Sequence, residues 1–185
     1  MHSNKDQELI KACIGNSRKA QKALYDRFAS QMYVVALRYV GDTVVAQDVL
    51  QDAFVKVFSS LDTYTGAGSL EGWVRRIVIN TALENLRSND VLSESVELDD
   101  VLTVPDANIS VIEKISGDEL MSVIASLPVG FRTVFNMYAI EGYTHKEIAH
   151  QLGITESTSR SQYNRARILI QQKLEKLLDI WPTRD

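Results

Sequence analysis

The stretch Tyr143 to Leu169, YTHKEIAHQLGITESTSRSQYNRARIL, constrains the chain more than any other. Thr144 and Glu147 have capping-box spacing, so a first helix starts at Thr144. Ile148, Ala149 and Leu152 give it an apolar face. Gly153 ends it, because glycine enters the left-handed region at little cost. Ile154 then packs back into the corner. Thr155 caps a second helix, with Glu156 near the positive end of its dipole.

The second helix has an inner edge of Ser159, Tyr163, Ala166 and Ile170. Its other faces carry Thr158, Arg160, Ser161, Gln162, Asn164, Arg165 and Arg167. Short polar groups followed by arginines suit a helix that lays its N-terminal end in the major groove and touches phosphates behind it. An ordinary helical hairpin with a solvated face is the alternative. Small residues at Ala149 and Gly153, where the two helices must cross closely, favour a helix-turn-helix.

Net charge is −4, an unexpected sign for a DNA binder until it is divided by segment. Residues 1–90 carry 11 Lys/Arg against 10 Asp/Glu, residues 91–117 carry 1 against 6, and residues 118–185 carry 8 against 8. The negative balance therefore lies in the middle. Across residues 158–176, Arg160, Arg165, Arg167, Lys173 and Lys176 face only Glu175. Local basic surface governs phosphate contact, whereas a whole that is not basic implies that a larger assembly supplies much of the affinity.

The 185 residues suffice for one medium domain or two small ones, and three prolines with little Val/Thr alternation indicate mostly helix. Cys13 has no internal disulfide partner and sits in a helical pattern, as a core residue rather than a nucleophile. No run approaches the ~18 apolar residues of a membrane span, so no direct membrane insertion is expected. The polar start MHSNKDQELI shows no signal peptide, which makes a cytoplasmic location the expectation.

Gln7 to Ala12 and Lys19 to Phe28 read as short helices joined around Gly15-Asn16-Ser17, with Ser17 a cap. Ser30 to Val40 reads as a further segment deep in a bundle, stopped at Gly41-Asp42. Asp42 or Thr43 caps a helix from about Val44 to Ser59. Its apolar stripe is Val45, Val49, Ala53 and Val57, flanked by Val44, Phe54 and Phe58. Asp48, Gln51, Asp52 and Lys56 form its polar side, which by itself reads as a solvated face. Leu61 to Gly68 is a loop with an exposed Tyr64, and Ser69 caps a helix from Leu70 to Ser88. Trp73, Ile77, Thr81 and Glu84 follow one side of that helix. Arg75, Arg76, Asn80, Glu84 and Arg87 are its polar complement. An aromatic loop before paired arginines is a platform for splayed bases, or equally a core tryptophan with arginines in water.

Residues 91–117 read as an acidic linker. Fully extended it reaches on the order of 90 Å, against roughly 70 Å for two turns of DNA. Ser116 and Glu119 then have capping-box spacing, Leu120, Val123, Ile124 and Leu127 form a stripe, and Pro128 opens another helix at its first position. Phe131, Val134, Phe135 and Tyr138 line that helix. The last helix runs through Leu174, Leu177 and Leu178 to Trp181, and Pro182 ends it. The fold class is thus all-α: two small helical domains, 1–90 and 118–185, joined by an acidic linker, the second containing the helix-turn-helix.

LPVGFRTVFNMYAIEGYTHKEIAHQLGITESTSRSQYNRARILI resembles the fourth conserved domain of bacterial sigma factors. LYDRFASQMYVVALRYVGDTVVAQDVLQDAFVKVFSSL and SLEGWVRRIVINTALENLR resemble the second. Their order and spacing, covering roughly residues 8–88 and 118–178, are similar to the compact extracytoplasmic-function group. The resemblance implies a promoter-specificity subunit of RNA polymerase, not an enzyme, with no cofactor and no metal. It assigns Asp48, Gln51, Asp52, Phe54 and Val55 to docking on the β′ clamp of core polymerase, with the C-terminal domain on the β flap. Tyr64, Trp73, Arg75, Arg76, Asn80, Thr81 and Glu84 would read the −10 element, the loop capturing a flipped base. Thr158, Arg160, Ser161, Asn164 and Arg165 would read the −35 element as duplex. The linker would thread toward the active-site and RNA-exit region. An anti-sigma inhibitor protein is a further implied partner.

The chain departs from many relatives, which have Gly, Val and Arg where it has Ser157, Ser159 and Gln162. Ser159 is expected to loosen the helix edge slightly, and Gln162 to remove a phosphate contact. Two rival functions remain. A free-standing regulator would bind duplex DNA without polymerase, though the N-terminal half has no ligand-pocket signature. A helical metalloenzyme would need zinc-ligand spacing, yet His145 and His150 are five apart and there is no HExxH or CxxC.

Overall fold

The computed structural model describes residues 4–88 and 117–180, and the regular elements among them are all helical. The chain divides into two compact units, Met1–Asn89 and Asp90–Asp185. Nearly all of the expected linker, the Ser116 cap and Trp181 lie outside the described residues.

The first unit contains α1 (Asn4–Ile14), α2 (Arg18–Val40), α3 (Thr43–Ser60) and α4 (Leu70–Ser88), with a 3₁₀ turn at Leu61–Thr63. Helices α2, α3 and α4 pack against one another in pairs, and α1 lies on α2 and the 3₁₀ turn. The breaks between helices are built locally. Asn16 takes φ 58° in the first turn. Ser17 Oγ accepts the Ala20 N–H at 3.4 Å. At the far end of α2, Gly41 adopts φ 75° and its N–H donates to Leu37 O. Asp42 Oδ1 then accepts the N–H groups of Val44 and Val45 at 2.8 and 2.9 Å, which starts α3.

One expectation needs correction here. The two segments Lys19–Phe28 and Ser30–Val40 are a single helix, α2, of 23 residues. No glycine or proline separates them, and their apolar stripes are in phase: Ala20, Leu24, Phe28, Met32, Val35, Ala36 and Tyr39 are all buried. They meet Val49, Ala53, Phe54 and Val57 of α3 and Val74, Val78, Ile79, Ala82 and Leu86 of α4 in the core. Cys13 is buried as expected, and burial raises its thiol pKa, so it stays protonated.

The second unit contains α5 (Gly117–Ala125), α6 (Val129–Phe135), a π turn at Asn136–Ile140, α7 (His145–Leu152) and α8 (Glu156–Ile180). Helices α5, α6 and α7 all pack on α8. Its core joins Val123, Ile124, Leu127 and Phe131 to Ala166, Ile170 and Leu174. Arg132 is buried, and Nη1 donates to Ala125 O at 2.6 Å and Leu127 O at 3.4 Å. It thereby satisfies carbonyls left open at the C-terminal end of α5. Burial lowers its pKa. Pro128 occupies the cap position of α6, one residue before the expected first turn.

The π turn was not foreseen. The N–H of Glu141 reaches Asn136 O five residues back, at 3.0 Å. This wider turn carries one more residue than the α spacing allows. Met137 and Asn136 therefore point inward, while Tyr138, expected to line the core, is 38% exposed. Leu177 is also exposed, at 43%.

Candidate nucleic-acid interface

The start of α8 is held by short-range polar contacts. Thr144 Oγ1 accepts the Glu147 N–H at 3.2 Å, and Glu147 Oε2 accepts the Thr144 N–H at 2.8 Å. This is the expected capping box of α7. Gly153 takes φ 68° at the end of α7, and the Ile154 N–H returns to Ala149 O at 3.1 Å. Thr155 Oγ1 accepts the Thr158 N–H at 3.0 Å and caps α8. The helix-turn-helix therefore has the local construction that its residues predicted.

On α8, Arg160, Ser161, Asn164 and Arg167 are exposed, and Thr158 and Arg165 are half-buried. The Thr158 hydroxyl lies 2.9 Å from that of Thr155. The Arg160 guanidinium is 3.5 Å from Glu156, a surface ion pair one turn back. Gln162 differs from the expectation: it is 7% exposed, on the inner side beside Ser159 and Ala166, so it is not a phosphate-facing position.

Behind α8 lies an aromatic cluster. The Tyr138 ring stacks on His145 at 4.2 Å with an interplanar angle of 13°, and it meets Tyr163 at 4.6 Å. Phe135 stacks on Tyr163 at 6.0 Å. His145 Nδ1 and Ser159 Oγ share a buried hydrogen bond of 2.9 Å. Ser159 is fully buried, so it replaces an apolar contact with a specific polar one rather than leaving a loose edge. Burial, followed by the charge of Arg160, lowers the His145 pKa, with Glu156 opposing.

In the first unit, Tyr64 and Trp73 face each other with centroids 5.6 Å apart and planes at 57°. Both are half-buried. Tyr64 Oη donates to Gly68 O at 2.9 Å, which folds the loop on itself. Gly66 and Gly68 take φ 80° and 95° there, a region open to glycine. Burial, then the Asp6 carboxylate, raises the Tyr64 phenol pKa. Ser69 Oγ accepts the Gly72 N–H at 3.0 Å at the head of α4. Along α4, Arg76, Asn80 and Glu84 are exposed and Arg75 is half-buried. Thr81 is a correction: it is buried, and its Oγ1 donates to Ile77 O at 2.9 Å, so it supports the face without reaching it.

On α3, Asp48, Gln51, Asp52 and Val55 fall at i, i+3, i+4 and i+7 and are all exposed. Val44, which the sequence pattern placed on the apolar side, extends this strip at 65% exposure, beside Val55 at 67%. Phe54 is a correction, being 3% exposed with its ring against Tyr25 at 4.7 Å and Phe58 at 6.0 Å. It holds α3 in the bundle and is not at the surface.

Among the described residues no group of three His, Cys, Asp or Glu side chains is placed to hold a metal ion, and no helix is long and apolar enough to cross a membrane.

The profile of Sigma-70 region 2 matches residues 24–91, and that of Sigma-70 region 4 matches residues 117–170. The ECF RNA polymerase sigma-E factor of Haemophilus influenzae is 28% identical over 184 residues, covering 94% of this chain and 97% of that protein. The chain is an ECF sigma factor. It directs promoter recognition and transcription initiation by RNA polymerase. The ECF sigma factor SigE of Mycolicibacterium smegmatis is 32% identical over 157 residues, covering 83% of this sigma factor and 61% of that protein. Among solved structures, the sigma factor RpoE in complex with the anti-sigma factor NepR from Bartonella quintana aligns with a TM-score of 0.51 and 18% identity. That alignment covers 85% of this sigma factor and 97% of that chain, and the likeness is one of fold.

Proposed function

We propose that this sigma factor divides its work among three surfaces. The strip Asp48, Gln51, Asp52 and Val55, with Val44, docks on the β′ clamp of core polymerase. Tyr64 and Trp73, followed by Arg75, Arg76, Asn80 and Glu84, receive the −10 element as its strands part. Thr158, Arg160, Ser161, Asn164 and Arg165 read the −35 element as duplex, while the C-terminal unit rests on the β flap. The observation that carries this reading is the start of α8. A capped helix there exposes Arg160, Ser161 and Asn164 together on an otherwise buried-edged element. The chain carries no phosphate-binding loop, so strand separation draws on binding energy.

An anti-sigma protein that covers these surfaces, as NepR accompanies the Bartonella quintana sigma factor, is the implied regulator. The site of action is the cytoplasm, where core polymerase and promoter DNA are found. The test is run-off transcription with core RNA polymerase on a pooled promoter library. Protein-dependent transcripts that share two upstream elements are expected. Their absence, together with specific binding of the free protein to duplex DNA, would replace this reading with a free-standing regulator.

A further inference from the structure

The contact between α7 and α8 is unusual in kind. A helix pair that must hold a fixed angle is ordinarily joined by apolar packing, and the buried edge of α8 is apolar at Ala166. At Ser159 it is not. The Ser159 hydroxyl, with no exposure, meets His145 Nδ1 at 2.9 Å. His145 is the first residue of α7, immediately after the Thr144 cap, and Ser159 lies in the first turns of α8, one residue before Arg160. The His145 ring is also fixed from its face by Tyr138 at 4.2 Å and from its edge by Tyr163 at 5.9 Å. One hydrogen bond and two ring contacts thus converge on one side chain and join the π turn, α7 and α8.

We propose that His145 is a positioning residue for −35 recognition: its hydrogen bond to Ser159, held flat by Tyr138 and Tyr163, sets the roll of α8 and with it the direction of Arg160. The proposal rests on the assignment of Arg160 and its neighbours to the −35 element. A short directional bond fixes rotation about the helix axis more narrowly than methyl contacts, which tolerate sliding. A roll of α8 turns Arg160 through the same angle as Ser159, and the length of the arginine side chain enlarges the displacement of its guanidinium along the groove.

The same geometry ties recognition to the protonation of one ring. The ionisable groups facing His145 are Tyr138 from the π turn and Glu156, Arg160 and Tyr163 from α8. On α7 itself the neighbours Lys146 and Glu147 are exposed, and Glu147 is committed to the Thr144 cap. A charged ring would stand against the Arg160 guanidinium, and its Nδ1–H would donate to Ser159 Oγ, whichever partner donates in the neutral ring. What protonation changes is the repulsion between the ring and Arg160, so the placement of Arg160 depends on the charge of the ring.

The test uses holoenzyme reconstituted with core polymerase and a promoter recovered from the pooled library, read as transcription from the matched −35 over a scrambled −35. His145→Phe keeps a flat ring and removes the bond, and Ser159→Ala removes it from the other side. Each is expected to reduce discrimination about threefold to tenfold, the worth of one neutral hydrogen bond. The double variant should lose no more than either single one, and Ser159→Thr should restore most of it. Wild-type discrimination should fall as pH is lowered below about 6.5 and the ring takes up charge beside Arg160, while that of His145→Phe stays flat. If His145→Phe and Ser159→Ala keep wild-type discrimination and Arg160→Ala loses it, the positioning role is wrong and the −35 assignment stands. If Arg160→Ala also changes nothing, Arg160 does not read bases and the assignment on which this proposal rests fails. Should His145→Phe not fold, Ser159→Ala with its Ser159→Thr rescue decides alone.

Discussion

Lys56 Nζ on α3 donates to Glu84 Oε2 on α4, and this ion pair joins the helix assigned to polymerase docking to the helix assigned to the −10 element. Both side chains are about half exposed, at 45% and 58%, so solvent screens the pair. Glu84→Ala is expected to cost less than about 1 kcal/mol of stability in urea unfolding. It should nevertheless alter transcription from promoters with an altered −10 element. A loss well above 1 kcal/mol would make Glu84 a structural residue and remove it from the recognition set.

Asp48 and Asp52 are exposed one turn apart on α3, so changing both leaves the bundle intact. The double charge reversal Asp48→Lys with Asp52→Lys should weaken binding to core polymerase by at least about tenfold, the equivalent of ~1.4 kcal/mol. A pull-down with core enzyme measures it. Full retention would locate the docking surface elsewhere.

Arg160→Ala should weaken −35 recognition by about 1–3 kcal/mol, the range for one good base contact. The measurement compares matched and scrambled −35 duplexes in the holoenzyme. Equal preference in wild type and variant would show that Arg160 serves phosphate or nothing.

Arg132 is buried and donates to the carbonyls of Ala125 and Leu127. Arg132→Ala leaves both without that donor, so a loss of about 2–3 kcal/mol is expected in equilibrium unfolding. A change within 0.5 kcal/mol, the ordinary range for surface substitutions, would mean that water replaces the guanidinium without cost.

The His145 pKa is lowered below its ordinary value of 6.5. The unfolded chain therefore takes up a proton before the folded one does, and this favours unfolding as pH falls. The stability contribution is complete above about pH 6.5 and is lost as pH drops through the lowered folded value. Urea unfolding at two pH values on either side of that window should show a decrease in wild type that His145→Phe lacks. An identical decrease in both proteins would assign it to other groups.

Local signals made much of this legible in the sequence. The Thr144–Glu147 box, Gly153, Thr155, Ser17, Asp42 and Ser69 are caps whose chemistry is complete within four residues, and the structure builds each of them. The sequence missed what depends on register or on a distant neighbour. Phe54 and Thr81 fall on the inner sides of α3 and α4, and only the bundle decides which edge of an amphipathic helix is covered. The continuity of α2 was legible in principle, since no glycine or proline interrupts Arg18–Val40 and its apolar positions stay in phase. His145 was weighed only as a metal ligand; its partner lies 14 residues away, across a turn. The signal was present in Ser159, a polar side chain on an edge otherwise apolar at Ala166 and Ile170.

The π turn at Asn136–Ile140 limits how this recognition unit can be moved to another protein. It holds one residue more than a regular helix would need, and it carries Tyr138, whose ring stacks on His145. Deleting Ala139 would straighten the segment and rotate everything after it by about 100°. A graft that began at the Thr144 cap would carry the reading side chains but leave behind the ring that steadies them. The portable module therefore begins upstream of Asn136, and its boundary is set by helix arithmetic rather than by the helix-turn-helix.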